Sequence, residues 1–176
     1  MVLTKEEVIG ALQDEVRVFL HLASKIEPKM LDYRPSPKQR SLLELMQYFV
    51  VMAPAQLQTI VAGDFTMEGF RARWQPAEAA AKAMNLEQAK AAIAKQSTLF
   101  AELIGPLTDA DLRVQVEMFG RKASRGFWIV RLPLSHYAAY RMQLFLYLKA
   151  CGREELNTMN LWMGTDPVEA ARTGTN

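Results

Sequence analysis

The sequence predicts an all-α fold, a four-helix bundle in a single domain spanning residues 1–176. Three observations predict it. Four long stretches carry apolar residues at i, i+3 and i+4 spacing, the period of a helix with one buried face. The first three open on a capping side chain followed three residues later by Glu or Gln: Thr4 with Glu7, Ser41 with Glu44, Asn85 with Gln88. Alternating strand-like character is confined to one short run, Val114, Val116 and Met118. Half of the residues are hydrophobic and 23% are charged, enough apolar surface for one sizeable core.

Behind Thr4, residues Val8, Ile9, Leu12, Val16, Phe19, Leu20 and Ala23 form one stripe, and the helix is expected to end near Ile26, before Pro28. His21 falls beside the stripe, a surface or boundary position. Pro35 and Pro37 forbid a helix and favour an extended loop. The second helix is expected over Leu42 to Ala62, kinked at Pro54, where a backbone donor is missing, and stopped by Gly63. Residues 63–84 read as a long connection, with at most a helical turn in the alanine-rich half after Pro76. Its aromatics, Phe65, Phe70 and Trp74, could lid a pocket, but local packing is the expectation. The third helix starts at Asn85 and stops at Gly105-Pro106. Thr108 to Asp111 repeats the capping pattern for one short turn, and residues 114–118 read as an extended loop. The fourth helix begins within Phe127–Leu132, takes Pro133 near its start, and ends at Ala150 before Gly152. Met159 to Gly164 is apolar enough to pack back on the bundle. Thr173 to Asn176 is expected to fray.

Composition excludes several classes. Net charge is +2, from 21 Lys and Arg against 19 Asp and Glu, too small an excess to argue nucleic-acid binding. The basic residues Arg121, Lys122, Arg125 and Arg131 beside Phe127 and Trp128 read as a solvated loop. The single cysteine, Cys151, forbids an intrachain disulfide and suits a reducing cytoplasm; it reads as a buried thiol. The charged start, Lys5-Glu6-Glu7, is unlike a signal peptide. No apolar run is expected to reach the roughly 18 residues of a membrane span. The expectation is a soluble cytoplasmic protein without membrane or nucleic-acid partners.

The chemistry concentrates on the last helix. Positions four apart share a helix face, so histidines at 136 and 140 would make half of a metal site. This chain has His136 and then Tyr140. His136, Tyr140, Gln143 and Tyr147 share one face by spacing. Ten methionines read as core filling. No glycine-rich phosphate loop, Ser/His/Asp set or Cys-x-x-Cys motif is apparent.

The segment Tyr33-Arg34-Pro35-Ser36-Pro37-Lys38-Gln39-Arg40-Ser41-Leu42-Leu43-Glu44 resembles the entry to the second helix of DinB-like proteins, also called YfiT-like metal-dependent hydrolases. His136 through Gly152 resembles the same family's His-x-x-x-His-Arg-x-Gln-Leu…Tyr-Leu…Gly segment. The resemblance covers nearly the whole chain in helix order and length. It implies an up-down-down-up four-helix bundle and a homodimer. It also implies a divalent metal held by three histidines at one end of the bundle. Those positions fall on Tyr48, seven residues after Ser41 and next to Gln47, on His136, and on Tyr140. One ligand of three survives. A phenol has a pKa of about 10 and must lose its proton to bind a metal, so a divalent metal is disfavoured, although ferric iron does accept tyrosinate.

The expected function is therefore that of a divergent DinB-like protein without the metal triad. It would act through a small-molecule pocket at Tyr48, His136 and Tyr140, with Gln47, Gln143 and Tyr147 as secondary lining, or as a stress-related dimer. His136 is then a candidate general base and a tyrosine a candidate donor. Three alternatives stay open. The resemblance also implies metal- and thiol-dependent transferases or hydrolases. A purely structural dimer is the second. In the third, His136 and the tyrosines merely satisfy one another in the core. Arg141, beside this ridge, reads as a surface or interface ion-pair partner.

Overall fold

The computed structural model of the protein describes residues 3–167; the expected fraying of Thr173 to Asn176 lies outside them. Eight helices and one hairpin follow in order: α1 Lys5–Ala23, α2 Leu42–Ala62, α3 Met67–Lys82, α4 Leu86–Ala94, α5 Gln96–Ile104, α6 Asp109–Arg113, β1 Gln115–Met118, β2 Arg121–Ser124, α7 Arg125–Ile129 and α8 Ser135–Ala150. A π-helical turn, Val130–Leu134, joins α7 to α8, and another, Met159–Met163, closes the described chain. Four rods make the bundle: α1, α2, the α4–α5 pair, and α7 through α8. The fold is all-α in character.

The helix starts follow local chemistry. The capping boxes at Thr4, Ser41 and Asn85 are all formed; Ser41 Oγ accepts from the Glu44 amide while Glu44 accepts from the Ser41 amide at 2.7 Å. Gly63 ends α2 with φ +68°, the left-handed conformation that favours glycine there. Helix α1 ends three residues earlier than expected, at Ala23. The third rod is broken at Lys95 into α4 and α5.

Two expectations fail. Residues 63–84 are not an irregular connection: α3 occupies most of them, capped by the Thr66 hydroxyl, which accepts from Gly69 N. Gly69 and Pro76 argue locally against a helix. Packing overrides them, because Phe70, Trp74, Ala77 and Ala81 recur on one face. Ala81 is buried with Val51 and Ala55 of α2, and Trp74 and Ala77 pack against that cluster. Residues 115–118 are not a loop but a strand paired antiparallel with β2, from Gln115 opposite Ser124 to Met118 opposite Arg121. The turn between them has Phe119 at φ 53° and Gly120 at φ 71°, both in the left-handed region that tight hairpins require.

Helix α2 has the expected bounds, Leu42–Ala62, but is more apolar than expected. Its length and composition would suffice to cross a membrane, but 61% of its most apolar stretch is buried inside the bundle. The core around it is aromatic: Phe19 stacks on Phe49 at 3.8 Å, and the fully buried Tyr137 meets both rings and Phe100 edge-on.

Of the three prolines inside helices, Pro54, Pro76 and Pro133, Pro54 has its missing donor replaced by a side chain. Pro54 has no N–H for the Val50 carbonyl. The buried Gln96 amide donates instead, to Phe49 O at 2.8 Å and Val50 O at 3.4 Å, and its oxygen accepts from the Tyr137 hydroxyl at 2.5 Å. Pro133 lies in the π turn, where the Ser135 hydroxyl donates to Val130 O at 2.8 Å. The wide turn accommodates the ring and sets the angular register of His136, three residues on.

Arg141 is not a surface group. It is 4% exposed and lies on Glu15 of α1, with Nη2 to Oε1 at 3.1 Å and Nε 3.0 Å from Oε2. Another of its nitrogens donates to Leu161 O, and its guanidinium covers the Trp162 ring at 4.8 Å. The segment 159–163 thus packs on the bundle, with Leu161 buried. His21 sits at its edge, with Nε2 3.1 Å from the Asn160 amide.

Candidate functional site

Helices α2 and α8 bring Tyr48, His136 and Tyr140 to one region, but not to one cavity. The rings of Tyr48 and Tyr140 touch, with centroids 5.1 Å apart, and Tyr140 meets the Phe49 ring edge-on at 5.7 Å. Burial and the neighbouring Tyr140 phenol push the Tyr48 hydroxyl far above its ordinary range. Trp74 of α3 closes against Tyr48 at 5.7 Å, and the Arg40 guanidinium lies over the other wall of that ring at 3.9 Å.

Two cavities lie near this aromatic group. One, of about 340 Å³, opens beside Tyr48 between Arg40, Gln47, Trp74, Glu78 and Lys82. The other, of about 410 Å³, is lined by Gln56, Thr59, Phe65, Met67, Phe70, Met118, Phe119, Leu132 and His136. Helix α3 roofs both, since Phe70 and Trp74 stack on one another at 5.4 Å. Phe65, just before α3, and Phe70, on it, are therefore cavity lining.

His136 is oriented by Gln56, a residue the sequence reading missed. The Gln56 amide nitrogen is 2.8 Å from His136 Nδ1. An amide NH₂ only donates, so Nδ1 accepts and the neutral ring carries its proton on Nε2. The one available signal was a pair of glutamines, Gln56 and Gln58, within a mostly apolar helix. Gln56 Oε1 is buried without a partner, a cost of about 1–3 kcal/mol for such a group.

The secondary residues serve elsewhere. Gln47 Nε2 donates to Met84 O at 2.8 Å and Lys82 O at 3.2 Å, fixing the end of α3, and lines only the Tyr48 cavity. Gln143 donates to the Tyr147 hydroxyl at 2.7 Å, which donates to Arg40 O at 3.1 Å. With Tyr33 edge-on to Tyr147 at 5.4 Å, this pair holds the 31–40 loop rather than either cavity. Cys151 is half-buried and burial pushes its thiol up, which leaves it a poor nucleophile.

The donor set does not fit a metal. Among the described residues no three His, Cys, Asp or Glu side chains converge. At the positions the resemblance suggests, the Tyr48 phenol is held protonated by its surroundings and faces Tyr140, which leaves His136 as the one ready donor of the three.

Burial, helped by Arg131, lowers the His136 pKa below its ordinary 6.5, and burial with Lys25 lowers that of His21 despite Asp166 at 3.7 Å. A depressed folded pKa means the unfolded chain binds more protons between that value and 6.5. The resulting stability is complete above pH 6.5 and is lost as pH falls through the folded values. Urea midpoints are expected to drop between pH 7.5 and 5, and His136→Gln is expected to flatten that slope. An unchanged slope would show that His136 is not neutral by burial.

Phe119 borders the His136 cavity with 82% of its surface exposed. A bulky residue at positive φ is strained by about 1–3 kcal/mol, and such strain concentrates at functional sites.

Among solved structures the chain is similar to a DinB-like protein, YjoA, from Bacillus subtilis. The TM-score is 0.63 over 85% of this chain and 94% of that one, at 19% sequence identity. No family model and no curated protein matches the chain.

Proposed function

We propose that this chain, whose fold is that of DinB-like proteins, is a metal-independent small-molecule binding protein that uses the His136 cavity. The observation that carries the reading is the division of the expected site. Tyr48 and Tyr140 pack on each other, while His136, edge-on to Tyr140 at 6.3 Å and oriented by Gln56, is the one of the three that lines a largely apolar cavity of about 410 Å³. That volume lies within the range of about 300–1,000 Å³ of small-molecule sites, which combine apolar walls with a few placed polar groups. A metal- and thiol-dependent transferase would need a ligand set that these side chains do not supply.

The finer parts of the reading belong to the same proposal: an up-down-down-up order of the four rods, a soluble cytoplasmic protein, and a homodimer. Met142 and Leu146, one turn apart on α8, are exposed, as are Trp162 and Met163, and such apolar groups suit a partner surface. A stress-related role would follow from the ligand rather than from DNA.

Native mass spectrometry of tag-free protein, before and after incubation with zinc, nickel, manganese and iron, tests metal and assembly together. A dimer mass with no added metal is the expected result. About one metal per chain, lost on His136→Ala, would overturn the metal-independent reading. A monomer at micromolar concentration would remove the dimer and leave the cavity reading intact.

A further inference from the structure

We infer that the His136 cavity selects a neutral aromatic molecule bearing one carbonyl acceptor, a ketone, aldehyde or amide, and discriminates against the corresponding carboxylate. The inference rests on the proposed reading of the cavity as a ligand site and names its substrate class.

The walls are the rings of Phe65, Phe70 and Phe119, the thioethers of Met67 and Met118, and Leu132. Rings favour offset or edge contacts with another ring, and thioethers adapt to aromatic edges. The cavity therefore suits a planar aromatic body.

The polar inventory is short. Thr59 already donates its hydroxyl proton to Ala55 O at 2.8 Å, and the Gln56 amide gives one of its two N–H groups to His136 Nδ1. The directional donors that remain, His136 Nε2–H and the second Gln56 N–H, both call for an acceptor. No lysine or arginine lines the cavity, and the imidazole beside it is held neutral. A carboxylate would leave water for apolar walls without a cationic partner, an unfavourable transfer. A neutral carbonyl accepts these hydrogen bonds without that penalty.

Phe119 supplies an independent handle. Its backbone is held at φ 53°, where Asn is far better tolerated than a bulky ring. A residue kept there only for folding would gain from Asn, which relieves the backbone at the loss of an edge contact with Trp128 at 6.3 Å. A residue kept for its ring would gain stability on replacement and lose binding.

The test uses the full chain with acetophenone, benzoate and ethylbenzene as probes, titrated at millimolar concentration and followed by amide chemical-shift mapping. Acetophenone is expected to bind about tenfold more tightly than benzoate and more tightly than ethylbenzene, with shifts at cavity residues. His136→Phe is expected to erase the preference of acetophenone over ethylbenzene. Phe119→Asn is expected to raise the melting temperature while weakening acetophenone, and it remains informative if the His136 variant folds poorly. Benzoate binding as tightly as acetophenone would overturn the inference and leave the cavity reading standing. Binding that neither variant alters would place the probe elsewhere and overturn it too. No shift at cavity residues with any probe would remove both the inference and the reading beneath it.

Discussion

Arg141→Met is expected to destabilise the protein by about 3 kcal/mol, because it leaves the Glu15 carboxylate in a largely buried position without its counter-charge. Arg141 makes both contacts to Glu15, donates to Leu161 O and covers Trp162. The side chain thus joins α1, α8 and the 159–163 turn. The lower end of the usual range is expected because Glu15 keeps 17% of its side chain exposed. Burial already raises the Glu15 pKa above its ordinary 4.5, and Arg141 opposes the rise. Without Arg141 the folded value climbs further. A carboxyl group with a raised folded pKa contributes stability that is complete below its unfolded pKa and is lost as pH rises through the folded one. The penalty of Arg141→Met should therefore be largest at pH 7 and shrink toward pH 4. The double variant Glu15→Leu with Arg141→Met should recover much of the loss, since a well-packed apolar pair can replace a buried ion pair. Urea denaturation at both pH values, with hydrogen exchange at 159–163, measures this. A loss below about 1 kcal/mol would show that the pair is solvated like a surface ion pair.

Gln96→Leu is expected to cost about 3 kcal/mol, since it strands several buried polar groups at once. The Phe49 carbonyl loses its 2.8 Å side-chain donor, the Val50 carbonyl that Pro54 leaves unserved loses the Gln96 amide, and the Tyr137 hydroxyl loses its acceptor. Tyr137→Phe removes only the hydroxyl and should cost about 1–2 kcal/mol by leaving Gln96 Oε1 without a donor. The two variants should be less than additive, because the double variant no longer strands one partner of the Gln96–Tyr137 bond. Denaturant melts of the four proteins read the coupling directly. Strict additivity would mean that the bond contributes nothing beyond the packing of the two side chains.

The likeness to YjoA carries the fold, and the difference from the resemblance lies at the site. That the resemblance sets Tyr48 and Tyr140 where it implies histidines was legible in the sequence. Their consequence was not. Spacing placed His136, Tyr140, Gln143 and Tyr147 on one helix face, yet the pair Gln143 and Tyr147 answers to Arg40 O and the 31–40 loop. Helical periodicity states which residues share a face; it is silent on what that face meets along its length.

What the sequence by itself determined was local. Caps at Thr4, Ser41 and Asn85 and the stop at Gly63 act between residues a few positions apart, so their geometry follows from residue type and spacing. The tertiary structure alone decided the rest. Helix α3 forms despite Gly69 and Pro76 because its aromatic face is covered by α2. His136 is oriented by Gln56, 80 residues away, Tyr137 is paired with Gln96 41 residues away, and Arg141 is buried on Glu15 126 residues away. Each of these pairings exists only once the rods are packed. Their free energy comes from removing both partners from water together, and no local pattern records which distant group will be there.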